Sequence, residues 1–381
     1  MIPDAQALSA IVPQILARGL AVLRENIVMP FLVNRGYDSE AGERGSVVTI
    51  PVPSAMEARD VVASKLSAQP DPQFVAPTTV SIPMDNWKKA DFAMTDKDLV
   101  EIQEGYLPLQ AESAVKALAN KVDSDLLGQV QSFYGLAGTL GQPIDALSDV
   151  VEARRVLNEQ LAPMDPRYLV VGPQGEAEML GIAAFHDASF GVGGEAILEG
   201  RLTRRLGFGI AMDQNVGTFT SGGLDGVTVA AAEAAGETSI GLTVVTTGVD
   251  FGDIIKFAGD PQQYVVTSAG TDQSTISIAP ALQIALTGGE VVSYATGFTP
   301  STTYEGNMAF HRDAMAFVTR PLSAGADGLG TVVRSISDPE SRLTLRLEIS
   351  RENKQTRWCW DILYGFATIR RELGCRVHGA A

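Results

Sequence analysis

The longest regular pattern in the sequence is an amphipathic stripe within residues 109–134. Apolar side chains recur there at intervals of three and four, which is the spacing of one helix face. They are Val115, Leu118, Val122, Leu126, Val130 and Phe133. The 26 residues of this range would form a helix of about 39 Å. The sequence therefore predicts a long strut, ended by Gly135, Gly138 and Gly141.

Two extended runs before this helix contain proline. They cover residues 46–53 and 78–84 and include Pro51 and Pro83. Proline cannot donate to a strand ladder, so these runs fit an edge or a two-stranded arm better than the middle of a sheet. Residues 33–94 are therefore predicted to form an extended β-hairpin arm. Such an arm has too little core to fold alone, and we expect a neighbouring subunit to stabilise it.

Shorter elements of both kinds follow. A strand is predicted at 167–171, between helices at 143–161 and 174–185. Residues 227–298 contain short β-like runs separated by turn residues, which is typical of a small β-barrel or sandwich. Leucine or isoleucine then alternates with polar residues over 342–350, which predicts a half-buried strand.

These patterns together predict an α+β fold in five parts. The parts are an N-terminal arm and helix (1–32), an extended hairpin arm (33–94), the long helix and first part of the core (95–226), an inserted β-barrel domain (227–298) and the second part of the core (299–381).

Charge narrows the possible partners. The chain has 45 acidic and 29 basic residues, a net charge of -16, which argues against a surface that binds phosphates. It does not exclude a protein that encloses nucleic acid. Residues 342–381 carry eight basic and four acidic residues, a local balance of +4. This stretch is predicted either to meet the acidic surface of another copy or to be a solvated strand face.

No compartment signal or membrane span is evident. The first 25 residues lack the basic start and unbroken apolar stretch of a signal peptide. No run of about 18 apolar residues occurs. Cys359 and Cys375 have no C-x-x-C spacing, and so few cysteines fit a reducing cytoplasm. We therefore expect no membrane contact.

The sequence predicts no catalytic residue, no cofactor site and no metal site. It has no P-loop, H-E-x-x-H or G-x-S-x-G motif. His186 and His311, near Asp187 and Asp313, could meet and bind a metal, but histidines without a ligand are favoured. The glycines at 191–194 fit a turn better than a phosphate site. The pairs Asp96/Asp98 and Asp123/Asp125 are predicted to be helix starts or solvated faces.

Several stretches, in consistent order along the chain, carry a resemblance to a known family. They are the N-terminal helix and arm with returning limb DNWKK (85–89), ALANKV (117–122), LVVGPQG (169–175), GDIIKFAG (252–259), AFHRDA (309–314) and LYG (363–365). With them the sequence resembles the major capsid proteins of tailed double-stranded-DNA bacteriophages, which have the Hong Kong 97 fold. It is most similar to the Salmonella podophage coat-protein subgroup, which carries an inserted β-domain.

The resemblance implies a structural subunit rather than an enzyme. Subunits of this family self-assemble as hexamers and pentamers into an icosahedral procapsid, with a scaffolding protein and a portal protein. The shell then encloses double-stranded DNA without sequence-specific binding. Location in the virion capsid, after assembly in the host bacterial cytoplasm, is implied as well.

Four residues of the arm are predicted to contact a neighbouring subunit: Arg44, Trp87, Lys88 and Lys89. Arms that reach over neighbours add many modest contacts, which suits a closed shell. The alternative for Trp87 is that it packs within its own hairpin.

Three other functions compete with a phage capsid subunit. An encapsulin-like nanocompartment would share the fold but enclose enzymes. A surface binding module fits less well, because the long helix is atypical of β-rich adhesins. A hydrolase that uses His186 and His311 is the least favoured.

Overall fold

A computed structural model describes most of the chain. The described residues are 15–23, 27–37, 47–52, 58, 78–97, 106–186, 202, 204–224, 227–243, 248–269, 274–322, 331–337 and 343–380. Arg44, Asp98, Asp187 and residues 191–194, which the sequence analysis singled out, lie outside them.

The predicted mixture of helix and sheet is confirmed. The helices are α1 (15–23), α2 (Met29–Leu32), α3 (Tyr106–Leu127), α4 (Leu147–Glu159), α5 (Pro173–Gly181) and α6 (Ala183–His186). The strands are β1 (Val47–Val52), β2 (Thr78–Pro83), β3 (Asn86–Thr95), β4 (Gly135–Ala137), β5 (Arg167–Val171), β6 (Phe208–Met212), β7 (Thr218–Thr220), β8 (Ser239–Gly241), β9 (Ile254–Phe257), β10 (Tyr264–Ala269), β11 (Thr275–Ala279), β12 (Val292–Tyr294), β13 (Thr303–His311), β14 (Met315–Thr319), β15 (Thr331–Ser337), β16 (Thr344–Glu352), β17 (Gln355–Thr368) and β18 (Gly374–Gly379). Among the described helices, none combines the length and apolar character needed to cross a membrane.

The long helix α3 is shorter than predicted. It has 22 residues, about 33 Å, and gives way to a 3-10 turn at Gly128–Ser132. Glycine is a poor helix former, so Gly128, and not the later glycines, marks the end of the α-helix. The predicted stripe is otherwise right, because Val115, Val122 and Leu126 are fully buried in the main hydrophobic core.

Asp123 of α3 is a correction to the sequence analysis. With Asp125 it was predicted to be at a helix start or solvated, yet its side chain is completely buried. Its two carboxylate oxygens accept hydrogen bonds from the backbone N–H groups of Val28 and Met29, both at 3.0 Å. Burial raises the pKa of Asp123 to about 8. This carboxyl therefore ties the start of α2 to the long helix.

A six-stranded sheet forms the first half of the core. Its order is β4-β18-β13-β5-β6, with β7 paired to the start of β13. The β18–β4 and β5–β6 pairs are parallel and the others are antiparallel. Helix α4 packs on β4 and β18, and α5 packs on β5. The predicted strand at 167–171 is confirmed as β5.

Two buried polar residues of β13 hold the start of α5. The Gly172 N–H donates to Asn307 Oδ1 at 2.8 Å, and the Gly175 N–H donates to Glu305 Oε2 at 3.1 Å. The Asn307 amide also donates to Glu305 Oε2 at 3.1 Å. Burial raises the pKa of Glu305. These side chains accept hydrogen bonds from N–H groups that a helix start leaves without a partner. The arrangement requires the backbone at Gly172 to lie close to the side chain of Glu305.

A methyl group at Gly172 should destabilise the subunit. The Cβ of Gly172→Ala would lie 2.0 Å from Glu305 Oε1 and 2.6 Å from its Cδ, so a buried side chain would have to move. We expect a loss of about 2 kcal/mol in the free energy of unfolding, measured by denaturant titration. Gly181→Ala is the control, because no heavy atom lies within 4 Å of its added Cβ. Equal losses in the two variants would contradict this account.

The chain leaves the six-stranded sheet after β7 and returns to it at β13. Thr220 at the end of β7 pairs with Thr303 at the start of β13, so exit and return are neighbours. The Ser221 hydroxyl donates to the Thr299 carbonyl at 2.6 Å and closes the junction. Between them lies a five-stranded antiparallel sheet of order β12-β9-β10-β11-β8. Its buried residues, among them Ile255, form a hydrophobic cluster of their own.

A small aromatic cluster joins this sheet to the core. His378 of β18 lies between Phe298, at 5.9 Å, and Tyr304, at 4.8 Å between ring centroids. Within the described residues, neither imidazole nitrogen has a hydrogen-bond partner. Beside it, the buried Arg376 donates to the carbonyl of Phe133 at 2.9 Å. Burial, followed by the charge of Arg376, lowers the pKa of His378 well below its usual 6.5.

We expect low pH to destabilise the packing around His378. In the unfolded chain a histidine binds a proton near pH 6.5, whereas buried His378 resists protonation. Stability linked to His378 is therefore complete above about pH 6.5 and falls below it, by up to about 1.4 kcal/mol per pH unit. The measurement is the free energy of unfolding from denaturant titrations at about pH 7 and pH 5. Between these two pH values we expect the wild type to lose up to about 2 kcal/mol more than His378→Phe. A stability difference between variant and wild type that does not change with pH would contradict it.

A five-stranded sheet forms the second half of the core. Its order is β14-β17-β16-β15, and β3 pairs with β17 on the side opposite β16. The predicted half-buried strand is confirmed as β16, in which Leu345, Leu347 and Ile349 are buried and face the main core. Helix α3 packs against β17 and β3.

The described parts of the predicted arm rest on this sheet. Strands β1 and β2 form a separate two-stranded ladder, in which Pro51 pairs with Thr79. Their apolar side chains, including Ile50 and Ile82, pack on Val318 of β14. The range 33–94 therefore does not project throughout. Strand β3 belongs to the core sheet, because each of its ten residues pairs with one on β17.

Candidate assembly interface

Strand β3 presents a polar face away from the core. Neighbouring residues of a strand point to opposite sides, so Trp87, Lys89 and Asp91 share one face of β3. They pair across the ladder with Leu363, Asp361 and Cys359 of β17. This side of the five-stranded sheet is called the outer face below. Among the described strands, β3 pairs only with β17, so its second edge is unpaired there.

A buried ion pair lies beneath the indole of Trp87. Arg346 of β16 donates from Nε to Asp361 Oδ1 at 2.8 Å and from Nη2 to Asp361 Oδ2. The Trp87 indole N–H donates to Asp361 Oδ2 at 3.0 Å. The Arg346 guanidinium also lies 5.8 Å from the centre of the Trp87 ring, a cation–π contact. The hydrogen bond to Asp361 raises the pKa of Arg346.

Further charges alternate in sign around this cluster. Arg357 of β17 forms an ion pair with Asp91, and Lys89 lies 3.4 Å from the same carboxylate. Burial raises the pKa of Asp91, but the two cations outweigh it and bring the pKa below its usual value. Burial raises the pKa of the Cys359 thiol. The outer face therefore offers fixed charges of both signs and no activated nucleophile among these groups.

Comparison with protein families matches one part of the chain. Residues 77–260 match the family described as "Phage capsid protein". This part of the chain is a phage capsid protein domain.

Solved structures agree with this fold. A structure from Mycobacterium phage Che8 aligns at 18% identity with a TM-score of 0.53, over 92% of this chain and 90% of that chain. The capsid structure of cyanophage P-SCSP1u aligns at 11% identity with a TM-score of 0.50, over 92% and 88% of the two chains. No curated protein sequence matches. The predicted Hong Kong 97-type fold is confirmed, and an encapsulin-like shell or a surface module is not favoured.

The four predicted contact residues do not all lie on the outer face. Trp87 and Lys89 lie on the outer face, and Trp87 is 60% exposed despite its hydrogen bond to Asp361. Lys88 points to the opposite side and is half-buried opposite Ile362. Arg44 lies outside the described residues. The described side-chain contacts of Trp87 join it to β16 and β17 of the core sheet and not to its own hairpin, and its contact with a neighbouring subunit stays a prediction.

Sequence reasoning missed Arg346 and Asp361. A signal was present for Asp361, which is a lone charge in the run from Trp358 to Gly365, whereas Arg346 occupies an ordinary polar position of an alternating strand. A charge among apolar residues of a strand needs a partner. What the sequence does not give is the register that brings these two opposite each other.

The basic C-terminal stretch uses part of its charge within the subunit. It was predicted to meet another copy or to be a solvated strand face, and contact with another copy stays a prediction. Three of its arginines pair with acidic residues of the same chain: Arg346 with Asp361, Arg351 with Asp96 and Arg357 with Asp91. The excess of positive charge is therefore partly used to join β3 and β17 and their flanking turns.

Of the histidines and carboxylates considered as metal ligands, His311 and Asp313 lie within the described residues. Within the described ranges, no group of three or more His, Cys, Asp or Glu residues could hold a metal ion. Buried His311 accepts a hydrogen bond at Nδ1 from the backbone N–H of Asp313 at 3.2 Å. This contact caps a 3-10 turn and accounts for His311 structurally.

Removal of Arg346 should cost far more stability than removal of a solvated arginine. Arg346→Ala would leave the carboxylate of Asp361, which is 3% exposed, without its cation. We expect a loss of about 3 kcal/mol in the free energy of unfolding. The control Arg351→Ala breaks an exposed ion pair with Asp96 and should cost about 1 kcal/mol or less. Similar losses would show that Asp361 does not depend on Arg346.

Proposed function

We propose that this capsid protein assembles as hexamers and pentamers into an icosahedral procapsid. In this proposal a scaffolding protein and a portal protein take part, assembly occurs in the host bacterial cytoplasm, and the shell then encloses double-stranded DNA. The observation that carries the proposal is the family match, together with the exposed outer face of β3 and its second edge, which no described strand pairs with. A subunit with such a surface gains stability from its neighbours.

The charge of the chain supports enclosure of DNA without tight binding. A net charge of -16 repels phosphates on average, and a surface that grips DNA would carry an excess of Lys and Arg. Within the outer face, the cations Arg346, Arg357 and Lys89 already have carboxylates beside them. We therefore expect these three cations to bind DNA phosphates weakly.

Trp87 is the proposed anchor between subunits on the outer face. Its indole is held by Asp361 and Arg346, so little conformational entropy is lost when a partner covers it. Tryptophan and arginine are enriched among the residues that dominate binding energy. Lys89 and Asp91 flank it with opposite charges, which can select the orientation of the neighbour. Lys88 and Arg44 remain predicted contacts.

The segment 227–298 is proposed to be an inserted domain with a barrel-like sheet. Its separate hydrophobic cluster and the neighbouring exit and return at β7 and β13 support this. Membership of the Salmonella podophage coat-like subgroup is proposed on the same grounds. The parts 1–32, 33–94, 95–226 and 299–381 remain the proposed division of the rest.

Co-expression with the scaffolding protein tests both assembly and the role of Trp87. The wild type should form closed shells visible by electron microscopy, and Trp87→Ala should lower their yield at least about tenfold, because a dominant contact is worth about 2 kcal/mol. Trp87→Phe keeps an aromatic ring and should lose less. Phe251→Ala, at another exposed aromatic residue, is the control.

Two results would contradict the proposal. A wild-type protein that stays monomeric with its scaffold would overturn shell assembly. If Trp87→Ala only lowers the melting temperature and leaves the shell yield per folded subunit unchanged, Trp87 serves its own sheet alone.

A further inference from the structure

Two leucines adopt a backbone conformation that favours glycine. Leu161 has φ 58° and Leu206 has φ 51°. In this left-handed region the Cβ crowds the following carbonyl, and glycine avoids that cost. The chain uses glycine at nine other described positions of positive φ, and the polar residues Ser301, Asn353 and Lys354 at three more. A leucine at such a position therefore needs a reason.

Packing within the subunit explains Leu206 but not Leu161. The side chain of Leu206 packs against the main hydrophobic core. Leu161 follows the end of α4, and its side chain is 89% exposed. The cost of its backbone conformation is not repaid by burial in its own chain, and glycine would end α4 as well or better.

The loop that carries Leu161 is rigidly held. Buried Arg167 of β5 donates from Nε to the Pro163 carbonyl at 2.7 Å and from Nη2 to the Ala162 carbonyl at 2.6 Å. The Ala162 N–H donates to the Leu157 carbonyl at 2.9 Å. On the same loop, Met164 is 69% exposed. Two large apolar side chains are thus presented to solvent on a fixed backbone, as in a preorganised binding surface.

We propose that Leu161 and Met164 form a contact site for a second copy of this chain. The inference rests on the proposed shell assembly and adds a surface at the end of α4, which is distinct from Trp87 and the outer face. Leu161 is kept in a strained conformation because its side chain is buried when the copies associate. Glycine at this position would relieve the strain and remove the contact.

The charges around the site favour a second copy over DNA as the partner. Two acidic side chains, Glu159 and Asp165, and two basic ones, Arg155 and Arg204, surround it, and all four are more than half exposed. Within one subunit they form the pairs Arg155–Glu159 and Arg204–Asp165. DNA would require an excess of basic residues. Where two copies meet about a twofold axis, each presents the same balanced set, so each charge can meet one of opposite sign.

The double variant Leu161→Gly/Met164→Ser tests the site in the full chain. We expect its subunits to unfold at the wild-type temperature or above, because strain is relieved and no buried side chain is lost. We expect about tenfold fewer closed shells per folded subunit, measured by sedimentation and electron microscopy. Leu206→Gly is the matched control, because it removes the same side chain from the same conformation but takes it from the core. It should lower the unfolding temperature.

Three results would overturn the proposal. The first is a wild-type yield of shells from the double variant. The second is a loss of thermal stability in the double variant as large as that in Leu206→Gly, which would give Leu161 a role inside the subunit. The third is unchanged self-association without scaffold combined with lost binding to scaffold, which would make the scaffolding protein the partner. If the wild-type protein itself forms no shells, the proposed function is refuted. The wild-type sample alone shows this outcome, so it can be told apart from a failure of the Leu161 proposal.

Discussion

The pairing of β3 with β17 is the constraint on which the rest of the subunit depends. Ten consecutive residue pairs fix the returning limb of the arm to the core sheet. A shift by one residue would turn every β3 side chain to the other face. Phe92 would then leave Trp360, which it stacks on at 5.6 Å, and Trp87 would leave Asp361. The same ladder therefore sets the inner core and the outer face together.

The ion pair on the outer face matters for the position of Trp87 more than for stability. A buried pair such as Arg346 and Asp361 gives little net stability, since the loss of hydration offsets most of the attraction. Its value lies in geometry, because two hydrogen bonds to Asp361 hold the guanidinium next to the indole ring of Trp87. Stability is contributed mainly by the apolar residues of the inner face and of α3. The charged layer instead fixes the position of one exposed aromatic ring.

The elements were more predictable from sequence than the contacts between them. The β5 strand, the alternating β16 strand and the buried stripe of α3 follow from local periodicity. The end of α3 was misplaced, because Gly128 stops the α-helix while apolar spacing continues through a 3-10 turn. Asp123 was misjudged because its partners, the N–H groups of Val28 and Met29, lie 94 or more residues away. Periodicity carries no information about such distant pairs.

The candidate interface was predictable in part for the same reason. Trp87 and Lys89 could be chosen as prominent residues of an arm without a core, but their contribution depends on Asp361 and Arg346, which only the sheet register brings near them. Leu161 carried no sequence signal, because a leucine after a helix is ordinary until its φ is known. Resemblance to a family could give the fold and the role in the shell. It could not say which side chains of this chain lie at its surface.

The neighbouring positions of Thr220 and Thr303 have a consequence for how such proteins can change. Because the two ends of the segment between them meet in one ladder pair, its length and content are uncoupled from the register of β13. A foreign domain whose termini lie close together could therefore take the place of this segment without a change in the pairing of β13. It would also have to cover His378 and Tyr304, on which Phe298 now packs.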